Sequence, residues 1–461
     1  MIPRPAVFLL GFVSFILFEL WLSEPSAVWS SYQEVKHDRE SPSEEPTSSF
    51  DDMELSRNPT LDSVAVSTLP RTSQRPYNEF NPDEKHVLYT ASGGFNNQIR
   101  ELVAGLILAK ATNRTLLVPP AGTHSSLYRS YLKLKQKDVI PMDHCIDFQH
   151  LEKVTGVKMI ALNITIGAFH RNFLQSADER RVKGDLLSSD VEHASVIFAK
   201  KLLAMNIRNS KKVKAAILSK TTKPVAFIYG PFYSLQRIIE RGSIFEEIRP
   251  SPFLMNFAKR LTDVTFGENE PYNAMHVRLG DFFHFYRTNA ISAAPFLANA
   301  LLNNWNISQG VYIASESGYE KYFAPLMTIL PNAKRAVSLL TNPKTENLMF
   351  NFAEMLPSSH IRQDTFGIVE QLICARAPNF VGTFGSTFSK EIEYYQDLYP
   401  ESNHSFKLAA FVPTSSHMRV IKKRLGGSVA STFRIQYRVP DQRVKHDPLW
   451  NYIKKNTPKV K

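Results

Sequence analysis

The sequence predicts an α/β protein whose body holds two domains. Short runs rich in β-branched and aromatic residues alternate with stretches in which apolar residues recur every three or four positions, a pattern typical of parallel sheets covered by helices. Glycine-containing turns separate a strand from the following helix at several of these points. With 461 residues, 43% of them hydrophobic and 21% charged, the chain is long enough to bury two cores.

An apolar run near the N-terminus predicts a membrane anchor. Residues 6–22 contain one charged residue, Glu19, and 17 residues are just enough to cross a thin bilayer. Arg4 lies before the run, so the positive-inside bias places the N-terminus in the cytoplasm and the body in the lumen. We therefore expect a cytoplasmic tip and signal anchor over residues 1–22, with a cleaved signal peptide as the alternative.

Two segments outside the body have strongly biased charge, in a chain of net charge +12. Residues 23–85 hold seven prolines and 13 Asp/Glu against 6 Lys/Arg, which predicts a disordered stem. Residues 421–461 hold 11 Lys/Arg against 2 Asp/Glu, and we assign a basic tail to residues 426–461. The tail has no recognisable nucleic-acid-binding module, so we expect a solvated surface or an acidic partner and no nucleic acid.

A lumenal location would allow the body to form a disulfide and to carry N-linked glycans. In the lumen the two cysteines, Cys145 and Cys374, could pair, but Cys374 lies in an apolar helical pattern and could equally be a buried thiol. No spacing of Cys and His resembles a zinc site. Four sequons agree with lumenal exposure, and their asparagines are Asn113, Asn163, Asn306 and Asn403.

The body opens with a strand, a glycine turn and a helix. Residues 86–91 form a β-rich run, a polar turn breaks it, and apolar residues then recur with a helical period before a second strand over residues 115–118. In such a unit the turn lies at the carboxyl edge of a parallel sheet, where backbone N–H groups and the helix dipole favour a phosphate. Gly93 and Gly94 let a ligand approach the backbone, although glycines in such turns often serve geometry alone.

A second strand ends in an arginine. Residues 272–277 are expected to form a buried strand, with His276 and Arg278 on the same face. An arginine just beyond the carboxyl end of a strand can hold a diphosphate through two parallel donors. Asp281 follows closely and is expected to orient Arg278, while a simple surface ion pair between the two is the alternative.

Strands and helices continue to alternate through the rest of the body. Before the last of these helices lies a turn rich in Ser and Thr, in which Ser386 and Thr387 are expected either to cap the helix or to contact a phosphate. The predicted elements are helices over residues 191–203, 211–219, 293–302 and 366–373, and strands over residues 310–314 and 379–382.

Three stretches together resemble the signatures of the GDP-fucose protein O-fucosyltransferase family. They are the glycine turn ending in Asn97 and Gln98, the strand ending in His276 and Arg278, and a helical acidic residue before a strand and a Ser/Thr-Phe turn. The resemblance implies a GT-B-like architecture, in which two Rossmann-like domains face each other across a cleft. The acceptor-side domain would span residues 86–260 and the GDP-sugar-binding domain residues 261–425.

The resemblance also implies a set of site residues. Asn97 would lie beside the glycosidic linkage of the donor, and Arg278 would contact the β-phosphate, so these two are the predicted catalytic residues. Gly93 stands where some members carry a glutamate base, and Glu370 stands where many have aspartate. The predicted donor-binding residues are Gly93, Gly94, Phe95, Asn96, Asn97, His276, Arg278, Asp281, Glu370, Ser386, Thr387 and Phe388.

The implied activity is transfer of fucose from GDP-fucose to a hydroxyl of a protein or glycan, with inversion. The chain has no D-x-D motif of the kind that holds a metal under a sugar nucleotide, so we expect no metal cofactor. The expected location is the Golgi or endoplasmic reticulum membrane, as a single-pass type II protein. The alternatives are a related transferase using another nucleotide sugar, such as one of rhamnose, and a catalytically silent lumenal binding protein.

Overall fold

The computed structural model describes most of the body of the protein. The predicted anchor, nearly all of the predicted stem, Asp281, Asn403 and most of the basic tail lie outside the described residues. In the part that is described, no helix is both long and apolar enough to cross a bilayer. The described residues are 84–91, 93–122, 134–169, 194–198, 223–229, 244, 246–279, 290–316, 319–340, 342–354, 356, 359–400, 404–410, 413–433 and 437–438.

The first half of the body forms a five-stranded parallel sheet. Its strand order is β5-β2-β1-β7-β6, while β3 and β4 form a separate antiparallel pair. All four residues of β1 are buried, as expected for a central strand covered on both faces. The strands are β1 (His86–Tyr89), β2 (Thr115–Val118), β3 (Ala121–Gly122), β4 (Val139–Ile140), β5 (Met159–Ala161), β6 (Ala194–Phe198) and β7 (Val225–Tyr229).

The predicted strand-helix-strand unit is confirmed. Helix α1 (Phe95–Thr112) follows β1 and packs on β1 and β2. It ends at Asn113, whose left-handed backbone (φ 53°) lets its N–H bond back to the last turn. Two further helices of this half are α2 (Phe148–Thr155) and α3 (Ile166–Phe169), and two short 3₁₀ helices are Gln136–Asp138 and Met142–His144.

The predicted helix over residues 191–203 is wrong at its centre. Residues 194–198 form the edge strand β6, which pairs in parallel with β7 from Ala194–Val225 to Phe198–Tyr229. The β-branched pair Val196 and Ile197 suits a strand, and pairing with β7 satisfies backbone groups that a local apolar period does not reveal. The predicted helix over residues 211–219 lies outside the described residues.

The second half forms another five-stranded parallel sheet, in the order β11-β10-β8-β12-β13. This is the strand order of a Rossmann half, so the chain reverses direction across the sheet beside β8. β9 and β14 form an antiparallel pair. The strands are β8 (Tyr272–Val277), β9 (Ala290–Ile291), β10 (Gly310–Ser315), β11 (Ala333–Lys334), β12 (Asn379–Thr383), β13 (Ser405–Ala409) and β14 (Tyr437–Arg438).

The helices of the second half confirm the strand and helix alternation predicted from residue 272 onward. The predicted boundary between residues 260 and 261 falls inside α4, which packs against α8 and α9. The helices are α4 (Pro252–Phe266), α5 (Ala294–Leu302), α6 (Glu320–Ile329), α7 (Ala336–Leu340), α8 (Pro343–Glu354), α9 (Ser359–Arg376), α10 (Thr387–Gln396), α11 (Ser415–Leu425) and α12 (Gly427–Thr432).

A continuous apolar core connects the two sheets on one side. It contains side chains of the first sheet together with side chains of α4, α8, α9 and α10, whereas the opposite face of the second sheet has a core of its own. Cys145 and Cys374 are both fully buried and unpaired. They are therefore buried thiols and do not form the disulfide that the sequence left open. Burial raises the pKa of both thiols, which therefore stay protonated.

A carboxyl group is buried where α10 meets α1. Glu391 of α10 has no exposed surface, and neither carboxylate oxygen has a hydrogen-bond partner among the described residues. Burial raises the pKa of Glu391 from 4.5 to about 7, although the charge of Arg100 on α1 opposes the shift. The fold therefore favours the protonated form of Glu391.

Replacing Glu391 with glutamine should make stability less dependent on pH. A folded pKa above the unfolded one means that the folded state gains a proton, so its stability falls as the pH rises from 4.5 through 7. Glu391→Gln removes this loss, which amounts to roughly 3 kcal/mol at pH 8. Urea unfolding of both proteins at pH 5 and pH 8 measures the effect. An equal change for both proteins between the two pH values would contradict the protonated state of Glu391.

Candidate active site

Each of the three turns identified from the sequence follows the carboxyl end of a strand of one of the two parallel sheets. Arg278 follows β8, the turn at 384–386 follows β12, and the glycine turn at 93–94 follows β1. β8 and β12 are hydrogen-bonded neighbours, and both β1 and β8 lie where the chain reverses direction across their sheets. Ligands of open parallel sheets bind outside the carboxyl ends of strands at such reversal points.

His276 is held as a neutral imidazole at the end of β8. Its side chain is 3% exposed, its Nδ1 lies 2.7 Å from Ser389 Oγ, and its ring stacks on Phe388 with 4.3 Å between ring centroids. Burial, and then the charge of Arg278, lower the pKa of His276 well below its usual value. His276 therefore fixes the geometry of the site and does not carry a charge there.

Thr383 ties the end of β12 to the end of β8. Its hydroxyl accepts a hydrogen bond from Arg278 N at 2.8 Å and donates one to His276 O at 2.9 Å, while its own N–H donates to Ser389 Oγ at 2.9 Å. Thr383 and Ser389 are both fully buried. These bonds hold the backbone beneath the Arg278 side chain in one position.

Glu316, at the end of β10, pairs with Arg278. Arg278 Nη1 lies 2.6 Å from Glu316 Oε1, and Leu279 N donates to Glu316 Oε2 at 2.8 Å. The predicted orienting residue, Asp281, lies outside the described residues. The parallel register of β8 and β10, which places Ser315 beside Val277, is the signal that would have indicated Glu316.

A buried arginine, Arg335, hydrogen-bonds the backbone of Glu316 and the side chain of Ser315. Arg335 Nη2 donates to Glu316 O at 3.0 Å, Arg335 Nε donates to Ser315 Oγ at 3.2 Å, and its guanidinium lies 4.1 Å from the Phe323 ring centroid. Arg335 is 7% exposed, so its own position is determined by packing. Arg278 is thus oriented by Glu316, and Glu316 is in turn held by Arg335.

Glu370 lies on α9 beside the second sheet. Its Oε1 accepts a hydrogen bond from the hydroxyl of the fully buried Tyr312 of β10, at 2.9 Å. The pKa of Tyr312 is raised well above its usual value, first by burial and then by the charge of the Glu370 carboxylate. Glu370 is therefore oriented by the sheet, while its predicted contact with a guanine remains a prediction.

The turn after β12 leads into α10 with a helix start that has no side-chain cap. Ser386 occupies the N-cap position with extended backbone, yet its hydroxyl makes no capping hydrogen bond. Ser386 therefore does not cap the helix through its side chain, as one of the two alternatives had it. Ser386 is 6% exposed, and Thr387 is the first residue of the helix. An N-terminus of this kind presents backbone N–H groups and the positive end of a helix dipole.

The glycine turn after β1 has little room for side chains. Gly93 has φ 71°, and a Cβ atom built there would lie 2.6 Å from Asn97 Nδ2. Gly94 is the N-cap of α1 and accepts from Asn97 N at 2.9 Å. Phe95 is 9% exposed and belongs to the core. The turn therefore places Asn97 against Gly93, where some family members carry a glutamate.

Two glutamines near the glycine turn have structural contacts that sequence reasoning did not assign. Gln98 is fully buried, donates to Gly122 O at 2.8 Å and accepts from Gly122 N at 3.0 Å, which holds the turn to β3. Gln371 of α9 donates from Nε2 to Asn96 Oδ1 at 3.1 Å and to Phe388 O at 3.3 Å. Gln371 thus links the first turn of α1, directly after the glycine turn, to the residues around His276.

The structure connects several of the predicted site residues to one another. Phe388 stacks directly on His276, Thr383 joins His276 to Arg278, and Gln371 joins Asn96 to Phe388. Contacts of the predicted residues with a donor remain predictions. The described part of the chain contains no group of three or more His, Cys, Asp or Glu side chains that could hold a metal ion. The residues of this contact network that the sequence prediction omitted are Thr383, Ser389, Glu316 and Gln371.

Two solved structures are similar to part of the chain. The chain is similar to POFUT1 in complex with GDP-fucose, with 16% identity and a TM-score of 0.43 over 72% of this chain and 99% of that one. It is also similar to the fucosyltransferase NodZ from Bradyrhizobium, with 11% identity and a TM-score of 0.38 over 67% of this chain and 93% of that one. No curated protein matches the chain.

The family assignment rests on a match to the whole signature region. A family model described as GDP-fucose protein O-fucosyltransferase matches residues 86–399, in agreement with the resemblance of the three signatures. Because this match spans more than half of the chain, the protein belongs to the GDP-fucose protein O-fucosyltransferase family and is a GDP-fucose-dependent O-fucosyltransferase-like glycosyltransferase.

Proposed function

We propose that the protein transfers fucose from GDP-fucose to a hydroxyl of a protein or glycan acceptor, with inversion and without a metal ion. The observation that carries the proposal is the guanidinium of Arg278 at the carboxyl end of β8, which pairs with Glu316 while the backbone N–H of Arg278 is bonded to Thr383. The two sheets would act as the halves of a GT-B-like enzyme, with the donor on the second sheet and the acceptor approaching from the first.

Charge on the departing GDP would be balanced by protein groups. As the bond between the anomeric carbon and the β-phosphate oxygen breaks, its electron pair goes to that oxygen. The Arg278 side chain is about one-third exposed, so it can reach a ligand while Glu316 orients it. A preorganised guanidinium and a helix N-terminus stabilise such developing charge, which is the role that a metal ion has in other sugar-nucleotide enzymes.

The acceptor proton would leave late in the reaction. Position 93 is a glycine and supplies no carboxylate base, and its positive φ and the close approach of Asn97 disfavour a larger side chain there. We therefore infer that the bond to GDP is largely broken before the acceptor oxygen attacks the opposite face of the anomeric carbon. The acceptor then loses its proton to solvent or to the departing phosphate, and Asn97 positions the acceptor oxygen.

A donor panel tests the proposed activity. Purified protein should release GDP from GDP-fucose and leave GDP-mannose and UDP-sugars intact, with undiminished rate in excess chelator. The product linkage, read by NMR coupling at the anomeric proton, should be inverted relative to the donor. Turnover of a rhamnose nucleotide favours the related transferase, and GDP binding without any turnover favours the silent binding protein. A rate that is lost in chelator and restored by manganese would refute metal independence.

We propose a lumenal, membrane-anchored location in the Golgi or endoplasmic reticulum. The support is the apolar run over residues 6–22 and the surface position of three predicted glycosylation sites. Asn113, Asn163 and Asn306 are all exposed, as a glycan requires. Mass loss on digestion with an N-glycosidase, in protein isolated from membranes, would test both parts of this proposal.

A further inference from the structure

One buried amide lies between the two sides of the candidate site. Gln371 is 1% exposed on α9, a helix of the second half. Its Nε2 donates to Asn96 Oδ1, which is 275 residues away in the chain, and to the backbone oxygen of Phe388. A side-chain NH₂ group has two hydrogens, and here each has an acceptor.

The two acceptors belong to the two parts of the proposed reaction centre. Asn96 directly precedes Asn97, which we assign to the acceptor side, and is itself 8% exposed. Phe388 stacks on His276, whose backbone oxygen is bonded to the same Thr383 hydroxyl that holds Arg278 N. The amide of Gln371 therefore connects the first turn of α1, which contains Asn96 and Asn97, with the network beneath Arg278.

The other contacts of the glycine turn are of a different kind. Gln98 bonds both backbone groups of Gly122, which holds the turn to β3 within the first half of the body. That contact determines where the turn lies on its own sheet. It does not determine the distance from Asn97 to Arg278, which depends on how the turn is held to α9 and α10.

We propose that Gln371 is a positioning residue that sets the placement of Asn97 relative to Arg278. This inference rests on the proposed fucosyl transfer. Misplacing a reacting group by about 1 Å costs on the order of 10²-fold in rate, so a lost link should lower kcat more than donor affinity. Burial of both partners makes the link strong, since an unpaired buried amide is costly.

A double-mutant cycle tests the proposal on the full chain. The variants are Gln371→Met, Asn96→Ala and both together, and the matched control is Gln396→Met. Gln396 is also buried, at 4% exposure, but its Nε2 has no hydrogen-bond partner within the described part of the chain. Each protein is measured for GDP release from saturating GDP-fucose, for GDP affinity by calorimetry, and for its unfolding midpoint.

We expect each single change to lower the rate of GDP release on the order of 10-fold to 10²-fold while GDP affinity changes less than about threefold. The double variant should lose no more than the worse single variant, because both changes remove the same link. The control should keep the parent rate.

Other outcomes overturn the inference. Additive losses in the double variant, or rate losses that follow the unfolding midpoint in the control as well, would show a general packing role. A parent rate in Gln371→Met would remove the positioning role and leave the proposed function intact. Failure of the parent protein to turn over GDP-fucose would overturn the proposed function and this inference together.

Discussion

Replacing Arg278 with alanine should lower kcat/KM for fucosyl transfer on the order of 10²- to 10³-fold. The guanidinium is oriented by Glu316 at 2.6 Å and its backbone is held by Thr383 at 2.8 Å, so little reorganisation is needed when charge develops on GDP. Losing the side chain removes that preorganised charge. Steady-state GDP release from GDP-fucose and calorimetry with GDP measure the effect on rate and on affinity.

Two further variants show whether geometry or charge alone is responsible. Arg278→Lys keeps the charge but lacks the planar fork, so it should restore only part of the rate. Arg260→Ala removes one exposed charge from α4, a helix that precedes β8 in the chain, and should leave the rate unchanged. Normal GDP affinity and normal turnover in Arg278→Ala would rule out the assigned contact with the diphosphate.

Replacing Gly93 with alanine should lower the rate of transfer on the order of 10²-fold. Alanine is strained at φ 71°, and its Cβ would lie 2.6 Å from Asn97 Nδ2, so the Asn97 side chain must move. The strain by itself costs about 1 kcal/mol of stability, which leaves a folded protein with a misplaced Asn97. Single-turnover GDP release at saturating donor, together with urea unfolding, separates the two effects.

Gly156→Ala is the matched control for this experiment. Gly156 ends α2 with φ 69°, nearly the backbone conformation of Gly93, but a Cβ atom there has no other atom within 4 Å. The control should lose a similar amount of stability and keep the parent rate. If both variants lose equal activity, strain in the backbone is sufficient and the proposed role of Asn97 is not supported.

Much of the fold could be predicted because its signals are local. A β-rich run, a glycine turn and a helical period predict the unit from β1 to β2, and the structure confirms each part. The same holds for β8 and for the unit from α9 to α10. β6 was missed because a short apolar segment satisfies a helical period as well as a strand pattern, and only its pairing with β7 decides between them.

The candidate site could be predicted in its parts but not in its connections. His276, Arg278 and Phe388 stand in recognisable signatures, and the structure brings them together. Glu316 escaped prediction because an acidic residue after a strand is common, and only the register of β10 against β8 places it beside Arg278.

By itself the sequence determined the strands and helices around the three signatures, the signatures themselves and the turns that carry the site residues. These properties depend on contacts between residues near in the chain, or on backbone conformations that few residue types adopt. The tertiary structure alone decided that Cys145 and Cys374 stay unpaired, that Glu391 is buried near Arg100, and that Gln371 joins Asn96 to Phe388. Each of these depends on which distant surfaces pack together, because burial and hydrogen-bond partners arise only when residues far apart in sequence share one interior.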